Sequence, residues 1–135
     1  MGVDVTLTTC RWRGRGFEST DVRPATAADV SAAVVQLDGG EFNDLYLTPD
    51  DSDPETYFSV GGGPDLFLVF LCLANERFHD AYDPAGSDEE VLLVTGGQTG
   101  SFARRQLIDR SSALRAVLTY CNDGSLDESV SWDSR

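Results

Sequence analysis

The stretch from Ile108 to Trp132, IDRSSALRAVLTYCNDGSLDESVSW, decides the fold that this sequence predicts. Asp109 is a residue type that caps the first turn of a helix, and the apolar residues after it recur at spacings of three and four, as on one face of a helix. Gly124 ends that helix, and the alternation at 130–132 is typical of a short strand. We predict a structural role for five residues of this segment: Leu114, Val117, Leu118, Gly124 and Trp132.

Upstream, the sequence predicts a strand, a helix and then a run of short strands. Residues 3–10 alternate between apolar and polar side chains, as in a half-buried strand. Beyond an irregular Arg/Gly stretch, Thr26 begins a pattern that resembles a capping box, and apolar residues then recur at helical spacing until Gly39. Further strands are predicted at 44–47, 57–60, 66–74, 77–82, 91–95 and 101–107.

Two short segments between these strands are predicted to be turns or breaks. The glycines and proline at 61–64 interrupt the chain, and Asn75-Glu76 is placed to form a hairpin turn, because Asn tolerates a positive φ. The resulting order, β-α-β(5–6)-α-β, lacks regular βαβ alternation. We therefore predict an α+β fold, a single domain over residues 1–135 with a largely antiparallel sheet and two main helices packed on one face.

The charge balance restricts the kind of partner. The chain has 23 acidic and 10 basic residues, a formal net charge of −13, and every basic residue is arginine. Nucleic-acid binding is disfavoured, since neutralising phosphates requires clustered basic residues. An acidic surface suits a basic protein partner, because opposite potentials speed association. Solubility alone would also account for the acidity.

Compartment signals indicate a cytoplasmic protein. The N-terminal residues carry Asp4 and lack the apolar core of a secretory signal. The longest apolar run, 66–74, is shorter than the roughly 20 residues that a membrane helix needs, so we expect no membrane association. Cys10, Cys72 and Cys121 are odd in number and widely spaced, which favours reduced thiols over disulfides.

Catalytic, metal and cofactor motifs are not recognised in the sequence. His79 is the single histidine, and no G-x-S-x-G elbow presents a nucleophile to it. With Phe78 and Tyr82 facing the core, His79 would face the opposite side of its strand. The three cysteines and His79 lack the close pairing of zinc ligands. The glycine clusters at 61–63 and 96–100 are not followed by a P-loop lysine, so we predict no catalytic residue, metal or cofactor.

Two acidic clusters are candidate contact surfaces. They consist of Asp50, Asp51, Asp53 and Glu55 in the first loop and of Asp88, Glu89 and Glu90 in the second. Loops this polar are expected to be solvated, which argues against a carboxylate pair with a raised pKa of the glycosidase type. They form either a solvated edge or a docking surface for basic side chains.

The C-terminal half resembles a known family. The features that carry the resemblance are the succession of strands that begins at Tyr57, then Gly97, the amphipathic last helix, Gly124 and Trp132. Over roughly residues 55–132, the sequence resembles the Imm1 family of bacterial immunity proteins. The resemblance implies a small cytoplasmic α+β protein, of a kind common in actinobacteria, encoded beside a polymorphic toxin that it binds and neutralises. It is not expected to be an enzyme.

The resemblance implies that the protein occludes the active site of a cognate toxin, such as a nuclease or a nucleobase deaminase with a basic surface. The carboxylates at 50–55 and 88–90 are the candidate contacts. Tyr46, Tyr57 and Tyr82 are either anchors of the interface or core residues. Two alternatives remain: a small enzyme centred on His79, and a regulatory or scaffold domain that binds another basic protein. The sequence leaves the oligomeric state open.

Overall fold

A computed structural model of the chain describes residues 4–135 and contains two helices and ten strands within them. Val3, where the first strand is predicted to begin, lies outside the described residues. The helices are α1 (Ala27–Gln36) and α2 (Arg110–Asp123), and the strands are β1 (Thr6–Arg13), β2 (Gly16–Val22), β3 (Asp44–Thr48), β4 (Tyr57–Gly62), β5 (Leu66–Leu73), β6 (Arg77–Tyr82), β7 (Glu90–Thr95), β8 (Gln98–Ala103), β9 (Ile108–Asp109) and β10 (Ser131–Ser134).

Eight of these strands form one antiparallel sheet. Seven follow the order β10-β6-β5-β4-β3-β1-β2, and the short β9 pairs with the start of β5. β7 and β8 form a separate antiparallel hairpin. The predicted α+β class with a largely antiparallel sheet is confirmed.

Both helices pack on the same face of the main sheet, as predicted, and share one hydrophobic core with it. Val34 of α1 and Val117 of α2 are fully buried there. Leu114 and Leu118 are half-buried against the same core. Neither helix of the described chain is long and apolar enough to cross a membrane.

The ends of the two helices follow the predicted local chemistry. Before α1, the Thr26 hydroxyl accepts from the Asp29 backbone N–H at 3.1 Å, and the Asp29 carboxylate accepts from the Thr26 N–H at 2.9 Å, which completes a capping box. Asp109 caps α2 by accepting from the Ser112 N–H at 2.8 Å. Gly124 ends α2 with φ at 77°, a conformation that favours glycine.

The chain after α2 forms the edge strand β10 of the sheet, and the Trp132 side chain packs on the helix side. Trp132 donates its indole N–H to the Asp127 carbonyl at 3.0 Å. Its ring meets Phe58 edge-on, with centroids 6.2 Å apart, and Phe58 stacks on Tyr120 of α2 at 4.8 Å. Trp132 therefore ties the closing strand to the last helix through an aromatic cluster.

The Arg/Gly stretch predicted to be irregular is in fact a hairpin. Gly14, with φ at 58°, lies in the turn between β1 and β2, and the Trp12 and Phe17 rings meet across the pair at 4.7 Å. The prediction missed β2 because every residue of this edge strand is exposed, so its sequence carries no apolar alternation. Two strands therefore precede α1, not one.

The glycine run at 61–64 does not end the strand where predicted, since β4 continues through Gly62. A Cβ at Gly61 would lie 1.9 Å from the Thr95 Oγ1, and one at Gly62 would lie 2.7 Å from a Leu93 methyl carbon. These glycines are strand residues that let the β7–β8 hairpin lie directly on the sheet.

Two further boundaries also differ from prediction. The hairpin turn after β5 is formed by Ala74 and Asn75, both with φ at 54°, one residue earlier than expected. The strand predicted at 101–107 ends at Ala103, and residues 104–106 form a 3₁₀ turn instead.

Candidate partner-binding face

The face of the main sheet opposite the helices carries a zigzag row of four half-buried aromatic rings. They are Tyr46 of β3, Tyr57 of β4, Phe70 of β5 and Phe78 of β6, with successive centroids 5.8, 6.0 and 6.3 Å apart. Side chains alternate along each strand, so the residues next to them in sequence, such as Phe58 and Leu71, enter the core on the helix side. We call these four residues the aromatic row.

β6 places its aromatic residues on this outer face, so the expectation that Phe78 and Tyr82 face the core is wrong. Ala81 is the core residue of the strand, at 2% exposure, and Phe78 and Tyr82 lie an odd number of positions from it. His79 shares the helix side with Ala81. Of the three tyrosines considered as anchors, Tyr46, Tyr57 and Tyr82, all are half-buried and none belongs to the core cluster.

The β7–β8 hairpin covers one end of this face. At its turn, the Gly97 N–H donates to the Asn43 side-chain oxygen at 2.9 Å. A Cβ at Gly97 would lie 2.3 Å from the Trp12 ring, so the hairpin turn fits against that ring only with glycine. The turn residue Gly96 lines one groove together with Tyr46, whereas no hairpin residue lines the groove between Tyr46 and Tyr57.

Grooves lie on both sides of the aromatic row. A groove of about 280 Å³ at the tyrosine end is lined by Thr8, Tyr46, Thr48, Pro54 and Tyr57; we call it the tyrosine groove. A larger groove of about 560 Å³ lies between the sheet and the base of the hairpin, where Phe70, Tyr82 and Phe102 are among its lining residues.

A buried carboxylate supports the tyrosine end of the row. Asp44 is 3% exposed and accepts hydrogen bonds from the Trp12 indole N–H at 2.9 Å and from the Tyr46 hydroxyl at 2.6 Å. Burial, reinforced by the hydrogen bond to Asp44, raises the pKa of Tyr46, so its hydroxyl remains a donor. Burial, with Asp44 beside it, also raises the pKa of the Cys10 thiol to about 11.

The acidic loop at 50–55 borders the tyrosine groove through Pro54. Asp50 accepts from the Ser52 hydroxyl at 2.7 Å and from its backbone N–H at 2.9 Å, and these bonds lower the pKa of Asp50. Asp51 accepts from the Thr6 hydroxyl at 2.9 Å. The loop therefore holds a defined conformation while its carboxylates at Asp50, Asp51 and Glu55 are exposed and that of Asp53 is half-buried.

The second acidic cluster lies at the opposite end of the strands. Residues 50–55 precede Tyr57, which pairs with the end of β5, whereas residues 88–90 follow β6, which runs back toward the start of β5. Asp88 is paired with Arg105 at 2.7 Å, Glu90 accepts from the Ser101 hydroxyl at 2.5 Å, and Glu89 is exposed. The structure does not bring the two predicted clusters together.

His79 lies within hydrogen-bond distance of a hydroxyl. Its Nδ1 is 2.8 Å from the Ser134 Oγ, across the pairing of β6 with the edge strand β10. Neither residue lines either of the two grooves at the aromatic row. The contact is a side-chain link between two strands at the solvent-exposed edge of the sheet.

The cysteines are buried free thiols on three separate elements: Cys10, Cys72 and Cys121. Within residues 4–135, no group of three or more histidine, cysteine or acidic side chains is arranged to hold a metal ion. Cys72 instead points at the Glu55 carbonyl and the Asn75 side chain, both at 3.4 Å.

Sequence reasoning missed Phe70, Phe78 and Trp12 as surface residues. The run at 66–74 is apolar at every position, so the outward-facing Phe70 cannot be told from the inward-facing Leu71 without the strand register. On the outer face of this run, Leu68 and Phe70 are only half-buried.

An acidic α+β domain with half-buried aromatic rings beside ordered carboxylates has the composition of a protein-binding surface. The family model described as immunity protein Imm1 matches residues 18–134, nearly the whole chain, and the chain belongs to this family. The resemblance found over residues 55–132 is thus confirmed, and it extends through α1 to residue 18 within β2. Membership of this family implies that the partner of the protein is a toxin. No curated protein and no solved structure matches the chain.

Proposed function

We propose that this immunity protein binds a cognate toxin that is a nuclease or a nucleobase deaminase, and that it occludes the toxin's active site. Toxins of both kinds act on nucleic acid and therefore need a basic surface. The observation that carries the proposal is the formal net charge of −13 in a member of the Imm1 family. An acidic protein is attracted to such a surface and competes with nucleic acid for it.

Carboxylates supply the polar part of the proposed contact. Those of the 50–55 loop are held on an ordered turn, so little conformational entropy is lost when they meet basic side chains. We place this encounter in the cytoplasm. Inhibition by occlusion requires no cofactor and no catalytic residue in the immunity protein.

The toxin domain encoded by the neighbouring gene provides the test. Expressed alone in bacteria, this domain should stop growth, and co-expression of the immunity protein should restore it. The purified pair should form a stable complex, and the immunity protein should inhibit the toxin's activity on DNA or RNA without altering the nucleic acid itself.

Two results would contradict the proposal. If the neighbouring product is harmless alone, or if the pair shows no binding at micromolar concentration, that pair is not a toxin and its inhibitor. Protection that needs less than one immunity protein per toxin molecule would instead indicate an enzyme. Binding to a basic protein without toxicity would favour a regulatory or scaffold role.

A further inference from the structure

We propose that the toxin docks on the aromatic row and that a basic loop of the toxin places an arginine or lysine side chain in the tyrosine groove. This inference rests on the proposed function and assigns the contact to one face of the sheet. The partner is identified by its chemistry, a cationic side chain carried on a protein surface.

The aromatic row has the properties of an interface centre. Its four rings are half-buried on paired strands, so their positions are fixed before binding, and the helices lie on the other face of the sheet. Large aromatic side chains held rigidly lose little entropy on binding and dominate the energy of many protein interfaces. Tyr57 lies within the row and also lines the tyrosine groove.

Acidic side chains outnumber the one arginine at the tyrosine groove. Arg23 donates to the carbonyls of Thr48 and Pro49 and lies 3.6 Å from the Asp51 carboxylate. Asp21 accepts from the Thr8 hydroxyl at 2.7 Å, and Thr8 lines the groove. The exposed carboxylates of the 50–55 loop flank it through Pro54. A cation in this groove would meet aromatic rings and carboxylates together, an arrangement that attracts arginine and lysine.

The other end of the row already holds an arginine in this way. The Arg135 guanidinium lies 4.5 Å from the centre of the Phe78 ring and 2.6 Å from an Asp80 carboxylate oxygen. The combination of a row ring with a neighbouring carboxylate thus binds a guanidinium within the molecule itself. At the tyrosine end, the same combination faces an open groove.

Charge favours a basic loop of the toxin over a second copy of the chain or a nucleic acid as the occupant of the tyrosine groove. A second copy of the chain would bring two molecules of formal net charge −13 together, and a nucleic acid would bring its phosphates against the same carboxylates. The 88–90 cluster is the weaker contact candidate, because it lies at the opposite end of the strands from the tyrosine groove.

The test measures the affinity of the full chain for the toxin domain of the neighbouring gene, inactivated by substitution, using calorimetry. Thr48→Arg fills the tyrosine groove and adds a positive charge without removing any core side chain. We expect it to weaken binding by at least about 30-fold, the effect of losing one hot spot. Tyr57→Ala should weaken binding to a similar extent, and Asp53→Asn with Glu55→Gln by about tenfold.

Matched controls separate a local effect from a general one. Gln36→Arg adds the same charge on α1, on the far side of the sheet, and should leave the affinity within about twofold. The triple change Asp88→Asn, Glu89→Gln and Glu90→Gln should also have little effect. Thermal unfolding of each variant checks that it folds, and Thr48→Arg keeps the test valid if Tyr57→Ala is unstable.

The outcomes distinguish this inference from the proposed function. Loss of binding in Thr48→Arg but not in Gln36→Arg supports the aromatic row as the docking surface. Unchanged affinity in Thr48→Arg, or loss confined to the 88–90 variant, would overturn the docking surface and leave the toxin-binding function intact. Absence of binding by the wild-type protein would overturn both.

Discussion

The hydrogen bond between His79 and Ser134 joins two strands at the edge of the main sheet, where solvent reaches both side chains. A catalytic serine needs its base and a protected site for the developing oxyanion, and this pair lies outside the grooves at the aromatic row. We expect His79→Ala and Ser134→Ala to retain toxin protection within about twofold. Titrating purified variants against the toxin's activity measures this, and loss of protection in both would revive the enzyme alternative.

Two groups near the aromatic row have raised pKa values, and they lower the stability of the folded protein as the pH becomes alkaline. The pKa of the Cys10 thiol is 9.0 when exposed and about 11 in the folded protein, and that of Tyr46 is also raised. Between pH 9 and 11 the unfolded chain loses the Cys10 proton while the folded chain keeps it, so the free energy of unfolding falls as pH rises, by about 1.4 kcal/mol per unit of pKa difference.

Urea unfolding at a series of pH values checks this prediction. Cys10→Ala removes one of the two groups and should show a shallower decline above pH 9 than the wild type. An equally steep decline in the variant would show that Cys10 is not responsible.

The β7–β8 hairpin depends on the absence of side chains beneath it. Gly61→Ala would place a Cβ 1.9 Å from the Thr95 Oγ1, and overpacking of this kind destabilises by about 1–3 kcal/mol. We expect a lower midpoint of urea unfolding in this variant. Gly16→Ala is the matched control, because a Cβ there meets nothing within 4 Å, and it should change stability by less than about 0.5 kcal/mol.

Elements with local signals were predictable from the sequence, whereas those decided by distant contacts were not. The caps of α1 and α2 involve residues three positions apart, so Thr26, Asp109 and Gly124 were identified directly. β2 has no buried side chain to mark it. The glycines at the end of β4 look like a break in the sequence, but they pair with β5 and leave room for a hairpin more than 30 positions along the chain. These two elements therefore required the structure.

At the level of the whole molecule, the same distinction applies to the binding face. Composition and charge indicated a protein partner, and the Asp50–Glu55 loop was recognisable as an acidic cluster. The aromatic row was not recognisable from the sequence, because its members come from four strands and meet only through the register of the sheet. Alternation in one strand cannot reveal which of its faces a neighbouring element covers.

The formal net charge of −13 predicts that the rate at which the complex forms depends on salt concentration. If electrostatic attraction guides the toxin, the association rate should fall at least about tenfold between low and high salt, while the dissociation rate changes much less. Stopped-flow measurements over a salt series test this. A rate that is independent of salt would show that the acidity serves solubility and not recognition.

The packing of the β7–β8 hairpin on Gly61 and Gly62 has a consequence for the outward-facing residues of the hairpin. Because the sheet receives the hairpin on positions that have no side chains, the outward residues of β7 are not constrained by core packing. Leu92 is one of these, and it is 73% exposed. Such positions can be exchanged with little effect on the stability of the scaffold.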